Sequence, residues 1–186
     1  PLLSDVKGSI ILVNTLLEGV KTPIDILVLP EMCLTGYEFE SQSSLESCSE
    51  KCGLGSQFDF LSGVALRFKC HVFGGYPEKS GDVFYNSMYC IGPSGQLLKN
   101  YRKTFLYETD KPFYQQGDGF GLIELTIGNR VYRAALAICM DINPKDFIDF
   151  TQFDLAEHCM SQEADMLIFC THWLSQQEFT RESTIN

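Results

Sequence analysis

Apolar residues recur at a spacing of three to four positions in three stretches of the chain. These stretches are residues 5–20, 57–69 and 152–164. This spacing places the apolar side chains on one face of an α-helix, so the pattern predicts three amphipathic helices, the first ending near Gly19. Asn143 followed by Pro144 is typical of a further helix start, with Asn143 as N-cap. The polar, Ser-rich stretch at 40–57 is predicted to be a loop.

Short apolar runs bounded by turn residues predict the strands. These runs are residues 25–31, 70–78, 83–92, 121–139 and 165–170, and residues 96–105 leave a predicted turn at 92–95. The run at 121–139 reads as two strands joined around Gly128 and Asn129, a hairpin signal. The continuous runs are typical of strands buried on both faces. Helices that alternate with buried strands predict an α/β protein in which helices cover the sheets.

The order of elements also bears on domain organisation. The first predicted helix follows no strand, and the sequence stops soon after the last predicted strand. We therefore expect residues 1–186 to be one domain that is incomplete, without its first strand and its C-terminal part.

Composition and charge narrow the class of protein. Of the 186 residues, 45% are hydrophobic, and 24 acidic against 14 basic residues give a net charge of −10. This charge repels a phosphate backbone, so we expect no nucleic-acid partner. No apolar stretch approaches the roughly 20 residues that span a bilayer, so we expect no membrane partner. The eight cysteines include several within apolar strands, which favours reduced thiols and a cytoplasmic protein. Because the sequence begins with Pro1, it carries no information on organelle targeting.

Three residues with useful chemistry stand at the ends of predicted strands. Glu31 closes "DILVLPE", Lys103 follows the strand in "KNYRKTF", and Cys139 closes "YRAALAIC". Strand ends in layered α/β folds converge on a common crevice. We therefore ask whether these three side chains form one site.

Amide hydrolysis by a thiol would use these three residue types together. A free thiol has a pKa of ~8.5 and needs a base or a cation to become a nucleophile. A carboxylate can take the thiol proton and later activate water. A Lys ammonium and the backbone N–H of Met140, next to Cys139, can stabilise the oxyanion.

Structural interpretations compete with this site. A Glu or Lys at a strand end is commonly solvated, and a cysteine that closes an apolar strand commonly packs in the core. A Cys–His thiol protease with His158 or His172 is a further alternative, but it leaves Glu31 and Lys103 without a role. Cys48 and the nearby Cys52 lack a second pair at metal-ligand spacing, so we expect no metal site.

The sequence segments around Glu31, Lys103 and Cys139 favour a functional site over the structural interpretations. "LVLPEMCLTGYEF", "NYRKTFLYETD" and "ALAICMDINP" together resemble the nitrilase (carbon-nitrogen hydrolase) superfamily, whose catalytic Glu, Lys and Cys occur in this order. The resemblance implies a four-layer αββα sandwich, with Glu31 as general base, Lys103 as cationic stabiliser and Cys139 as nucleophile. Within the superfamily, "FDLAEHCM" and "MLIFCTHWL" look most like the protein N-terminal amidases, although Met140 stands where other members carry an aromatic residue.

The resemblance implies a function that needs no cofactor. Such enzymes remove the side-chain amide of N-terminal Asn or Gln and release ammonia, and the acidic product can mark a protein for degradation. Peptide or protein N-termini would be the partners, and the enzyme would be a monomer or homodimer. A small-molecule ω-amidase or nitrilase of the same superfamily, or a non-catalytic scaffold derived from it, are the alternatives.

Three further residues are candidates for supporting roles. Many members of the superfamily use a second glutamate, and Glu108, five residues after Lys103, is the nearest candidate. Asp141 is expected either to bind the α-ammonium of the substrate or to cap the turn after Cys139. Trp173 is expected either to line the pocket or to pack in the core.

Overall fold

The computed structural model describes residues 4–172. Its helices are α1 Val6–Glu18, α2 Gln42–Cys48, α3 Ser56–Phe68 and α4 Asp154–Ser161. Its strands are β1 Ile26–Val28, β2 His71–Ser80, β3 Val83–Ile91, β4 Leu97–Arg102, β5 Gly121–Ile127, β6 Arg130–Ile138 and β7 Met166–Cys170. Two short 3₁₀ helices, Cys139–Ile142 and Lys145–Phe147, follow β6.

The strands form two sheets. The first has the order β1-β2-β3-β4, with β1 parallel to β2 and the remaining neighbours antiparallel. The second has the order β5-β6-β7, with β5 antiparallel and β7 parallel to β6. The β5–β6 hairpin turns at Gly128, whose φ of 58° lies in the left-handed region that glycine tolerates. This confirms the predicted hairpin.

The two sheets pack face to face between layers of helices. Side chains from both sheets fill the space between them, among them Phe73 and Met88 from the first sheet and Leu136 and Ile168 from the second. Helices α1 and α3 cover the outer face of the first sheet. Helix α4 packs on β6 of the second sheet. The arrangement is the four-layer αββα sandwich that the resemblance to the nitrilase superfamily implies.

Two local predictions are wrong. Residues 40–57 contain α2, because Ser41 and Ser44 form a reciprocal capping box that starts a helix within the Ser-rich stretch. Asn143 does not start an α-helix: it ends the 3₁₀ helix Cys139–Ile142, and Pro144 precedes only the short Lys145–Phe147 turn. At 40–57, polar capping decided the local structure more than the spacing of apolar residues.

Two further observations concern the described part of the chain. No helix within residues 4–172 is long and apolar enough to cross a membrane. All eight cysteines are free thiols, and five of them are buried. This agrees with the prediction of reduced thiols.

Candidate active site

Strand β2 holds Glu31 in place through its backbone. The Gly75 N–H donates to the Pro30 carbonyl at 3.1 Å, and the Cys33 N–H donates to the Gly75 carbonyl at 2.9 Å. These bonds bracket Glu31, which directly follows the β1 segment. Its side chain is completely buried at the end of the interface between the sheets.

Gly75 permits this close approach because it has no side chain. A Cβ at Gly75 would lie 2.7 Å from both the Glu31 Cα and the Met32 nitrogen. Both atoms belong to the backbone, so the segment that carries Glu31 would have to move.

We expect Gly75→Ala to lower the free energy of unfolding by about 1–3 kcal/mol, the usual cost of overpacking. Hydrolytic activity should fall as well, because Glu31 is displaced. Urea denaturation and an amidase assay measure the two effects. Gly63→Ala is the matched control, because a Cβ there meets nothing within 4 Å and helix α3 should become slightly more stable. Equal stability of the two variants would contradict the prediction.

Lys103 lies directly after β4 and joins two buried carboxylates. Its Nζ is 2.9 Å from Glu31 Oε1 and 2.5 Å from Asp110 Oδ2. Burial alone would lower the pKa of Lys103, but the negative charges of Glu31 and Asp110 outweigh it and raise that pKa. The ammonium therefore stays protonated and stabilises both carboxylates.

Three donors fix the Glu31 carboxylate. Oε1 accepts from Lys103 Nζ and, at 2.7 Å, from Asn86 Nδ2. Oε2 accepts from the His172 backbone N–H at 3.0 Å. A carboxylate held from both sides has a defined direction, which a general base requires.

Cys139 stands between the end of β6 and the first 3₁₀ helix. Its φ of 44° lies in the left-handed region, which is unusual for a residue with a side chain and typical of functional turns. Burial, helped by the negative charge of Glu31, raises the pKa of the Cys139 thiol to about 11, while Lys103 opposes the shift. The Thr171 hydroxyl also lowers the pKa of the Cys139 thiol, although the two groups do not form a hydrogen bond of normal length and angle. The Cys139 sulfur therefore lies near enough to Glu31 and Lys103 for the charges of both to act on its pKa.

The raised pKa of Cys139, about 11, predicts the pH dependence of its alkylation. The thiolate fraction grows about tenfold per pH unit below the pKa, so the rate with iodoacetamide should still be rising at pH ~10. Mass spectrometry of the peptide containing residue 139, with circular dichroism to check folding, measures this rate. A cysteine peptide, which levels off near pH ~9, is the control. A rate for Cys139 that levels off below pH ~8 would contradict the prediction.

The backbone N–H of Met140, the expected oxyanion donor, lies in the first turn of a 3₁₀ helix. Met140 is the second residue of the helix Cys139–Ile142. The first N–H groups of a helix have no acceptor within the helix, so this N–H stays a candidate oxyanion donor.

Asp141 does not face a ligand, which corrects its expected contact with a substrate ammonium. Its carboxylate accepts from the backbone N–H groups of Thr104, Phe105 and Ile138 and from the Tyr101 hydroxyl. These four donors use all the lone pairs of a fully buried carboxylate. Asp141 therefore caps the turn after Cys139 and ties it to the segment that follows Lys103, as the alternative interpretation expected.

Glu108 is not brought to the site, which corrects its expected place as second carboxylate. Its side chain is 80% exposed and lies 3.7 Å from Lys111. Asp110, which sequence reasoning missed, occupies the place instead. The turn at 107–110 points Asp110 inward, because the Tyr107 N–H donates to its Oδ2 at 2.9 Å and the Tyr37 hydroxyl to its Oδ1 at 3.0 Å.

Two further expectations concern residues around the site. Trp173 lies outside the described residues. Within residues 4–172, no group of three or more His, Cys, Asp or Glu side chains could hold a metal ion.

Asn86 was also missed by sequence reasoning. The signal that could have indicated it is a polar residue on an otherwise apolar strand face.

Comparisons with known proteins agree with this geometry. The model of the carbon-nitrogen hydrolase family matches residues 2–148. The protein N-terminal amidase of Saccharomyces cerevisiae is 28% identical over 179 residues, covering 87% of this chain and 39% of that protein. The protein N-terminal amidase of Schizosaccharomyces pombe is 36% identical over 146 residues, covering 75% of this chain and 50% of that protein.

A solved structure extends the likeness to the fold. An N-terminal amidase crystallised with an Asn-Glu-Ala peptide superposes with a TM-score of 0.88 at 25% identity, covering 100% of this chain and 49% of that one. The chain thus spans half or less of the length of these relatives. The matched family model covers most of the sequence, including all three strand-end residues, and the chain belongs to the carbon-nitrogen hydrolase family.

Proposed function

We propose that this protein hydrolyses the side-chain amide of N-terminal Asn or Gln residues through a thioester on Cys139. The observation that carries the proposal is the buried Glu31–Lys103 pair beside a protonated, strand-end thiol. The N-terminal amidases among its relatives support the substrate class.

Glu31 acts as the base in the first step. The thiol is protonated at neutral pH because its pKa is raised to about 11. Glu31 takes the thiol proton as the Cys139 sulfur attacks the amide carbon, which avoids a free thiolate in a buried site. Two of the three N–H groups of the Lys103 ammonium donate to Glu31 and Asp110. The third N–H and the backbone N–H of Met140 then stabilise the oxyanion.

The second step returns the enzyme to its starting state. The C–N bond breaks, and ammonia leaves with the proton that Glu31 carries. Glu31 then takes a proton from a water molecule as the water oxygen attacks the thioester carbon. The C–S bond breaks, Glu31 returns the proton to the sulfur, and the carboxylic acid and the Cys139 thiol are released. The N-terminal residue has become Asp or Glu. This chemistry uses protein groups alone.

The charge of the site favours a cationic substrate. Glu31 and Asp110 carry two negative charges against the single positive charge of Lys103. The α-ammonium of a peptide N-terminus would be attracted to the remaining charge.

Ammonia release from short peptides tests the proposal. The full chain is incubated with peptides that begin with Asn or Gln and with the same peptides acetylated at the N-terminus. We expect turnover of the free N-termini only. Turnover of free amides but not peptides would instead favour a small-molecule ω-amidase or nitrilase. No turnover, with a Cys139 that resists alkylation, would favour a non-catalytic scaffold.

We also propose a cytoplasmic monomer or homodimer that feeds degradation determined by the N-terminal residue. The reduced thiols and the acidic product support this setting. The net charge of −10 supports a protein that binds no nucleic acid.

A further inference from the structure

We propose that Asn86 is a positioning residue that sets the direction of the Glu31 carboxylate. The inference rests on the proposed function, since it concerns the same site. Asn86 touches the groups that would perform the reaction, not the reacting atoms.

Asn86 is a polar residue on an apolar strand face. Because side chains alternate along β3, Asn86 shares its face with Phe84, Met88 and Cys90. These neighbours are buried hydrophobic residues, and Asn86 itself is fully buried. An apolar side chain would fill this position without the desolvation cost of an amide, so the amide needs a local reason.

The contacts of the amide nitrogen supply that reason. Asn86 Nδ2 donates to Glu31 Oε1 at 2.7 Å and lies 3.5 Å from Asp110 Oδ1. The opposite orientation of the amide would set Oδ1 against two carboxylates, so their charge fixes which atom faces them. Oδ1 consequently has no partner among residues 4–172. Asn86 leaves one polar atom unsatisfied in order to donate to the carboxylates.

The backbone of Asn86 holds Lys103 as well. The Lys103 N–H donates to the Asn86 carbonyl at 2.8 Å, just beyond the last paired residues of β3 and β4. One residue of β3 therefore anchors the ammonium through its main chain and the general base through its side chain. Small shifts at this position would change the distance between Glu31 and the Cys139 sulfur.

Loss of the amide should affect the direction of Glu31. Without the Asn86 donor, Lys103 and the His172 N–H still bind Glu31, but one of the two bonds to Oε1 is lost. The carboxylate should then be held less firmly in the direction that a general base requires.

The test uses Asn86→Leu in the full chain. We expect kcat to fall about 100-fold, the usual result of a misplaced catalytic group, and KM to change by less than about threefold, because Asn86 does not touch substrate. The isosteric Asn86→Asp should lose more activity at neutral pH, because a third carboxylate faces two others. If Asn86→Leu does not fold, Asn86→Asp is used instead.

Asn100 provides the matched control. Its Nδ2 donates to Glu78 Oε2 at 2.8 Å, and Glu78 is a buried carboxylate paired with Arg102. Asn100→Leu therefore removes the same kind of bond away from the site. We expect it to lower the melting temperature and to leave kcat unchanged.

Alkylation of Cys139 separates this proposal from the proposed function. The position of the Glu31 carboxylate affects the charge beside the thiol, so the alkylation rate of Cys139 at a fixed pH should change when Glu31 is displaced, and this assay needs no substrate. A changed alkylation rate in Asn86→Leu, with an unchanged rate in Asn100→Leu, supports the proposal even if the wild type hydrolyses no N-terminal amide. A folded Asn86 variant with unchanged kcat and an unchanged alkylation rate overturns it. An equal loss of kcat in Asn100→Leu also overturns it.

Discussion

Replacing Lys103 with methionine should lower the free energy of unfolding by about 3–5 kcal/mol, the usual cost of removing one partner from a buried ion pair. Lys103 is almost completely buried and binds two carboxylates that are equally buried. Methionine fills a similar volume but leaves Glu31 and Asp110 with uncompensated charges. Amidase activity should disappear as well, because the oxyanion loses its cation.

Urea denaturation at neutral pH measures this effect. Lys79→Met is the matched control: Lys79 pairs with Glu46 at the exposed surface, and such pairs contribute less than about 1 kcal/mol. Similar losses in the two variants would contradict the assigned role of Lys103.

The pattern of apolar residues predicted the layers because burial is encoded locally. Strand β6 shows this most clearly: Ala134, Leu136 and Ile138 face the other sheet, while Ala135 and Ala137 are buried on the opposite face. A strand that is covered on both faces has a continuous run of apolar residues, and β6 has such a run at 134–138. Helix α2 escaped prediction because its start depends on the Ser41–Ser44 capping box and not on apolar spacing.

The candidate site was predictable only in part, for a physical reason. Lys103 and Cys139 directly follow β4 and β6, and Glu31 lies shortly after β1. Strand ends meet in space. Asp110 follows no strand: the turn at 107–110 directs it inward, and only the folded structure distinguishes it from the exposed Glu108. Asn86 lies within a strand, where its partners become visible only when β3 meets the segment after β1.

Replacing Glu31 with glutamine should reduce kcat/KM by about 10³–10⁴-fold while leaving the fold intact, because general-base catalysis contributes up to about this much. Glutamine keeps the shape and one oxygen to accept from Lys103 and Asn86. Lys103 also keeps its ion pair with Asp110. The loss of stability should therefore be smaller than in Lys103→Met, although the loss of activity is as severe.

A double-mutant cycle shows whether Glu31 acts on Cys139. If Glu31 takes the thiol proton, the two residues form one unit, and combining Glu31→Gln with Cys139→Ala should cost no more than the more damaging single change. Additive losses would mean that Glu31 serves another step. Glu46→Gln is the matched control: this surface carboxylate pairs with Lys79, and its removal should leave the rate unchanged.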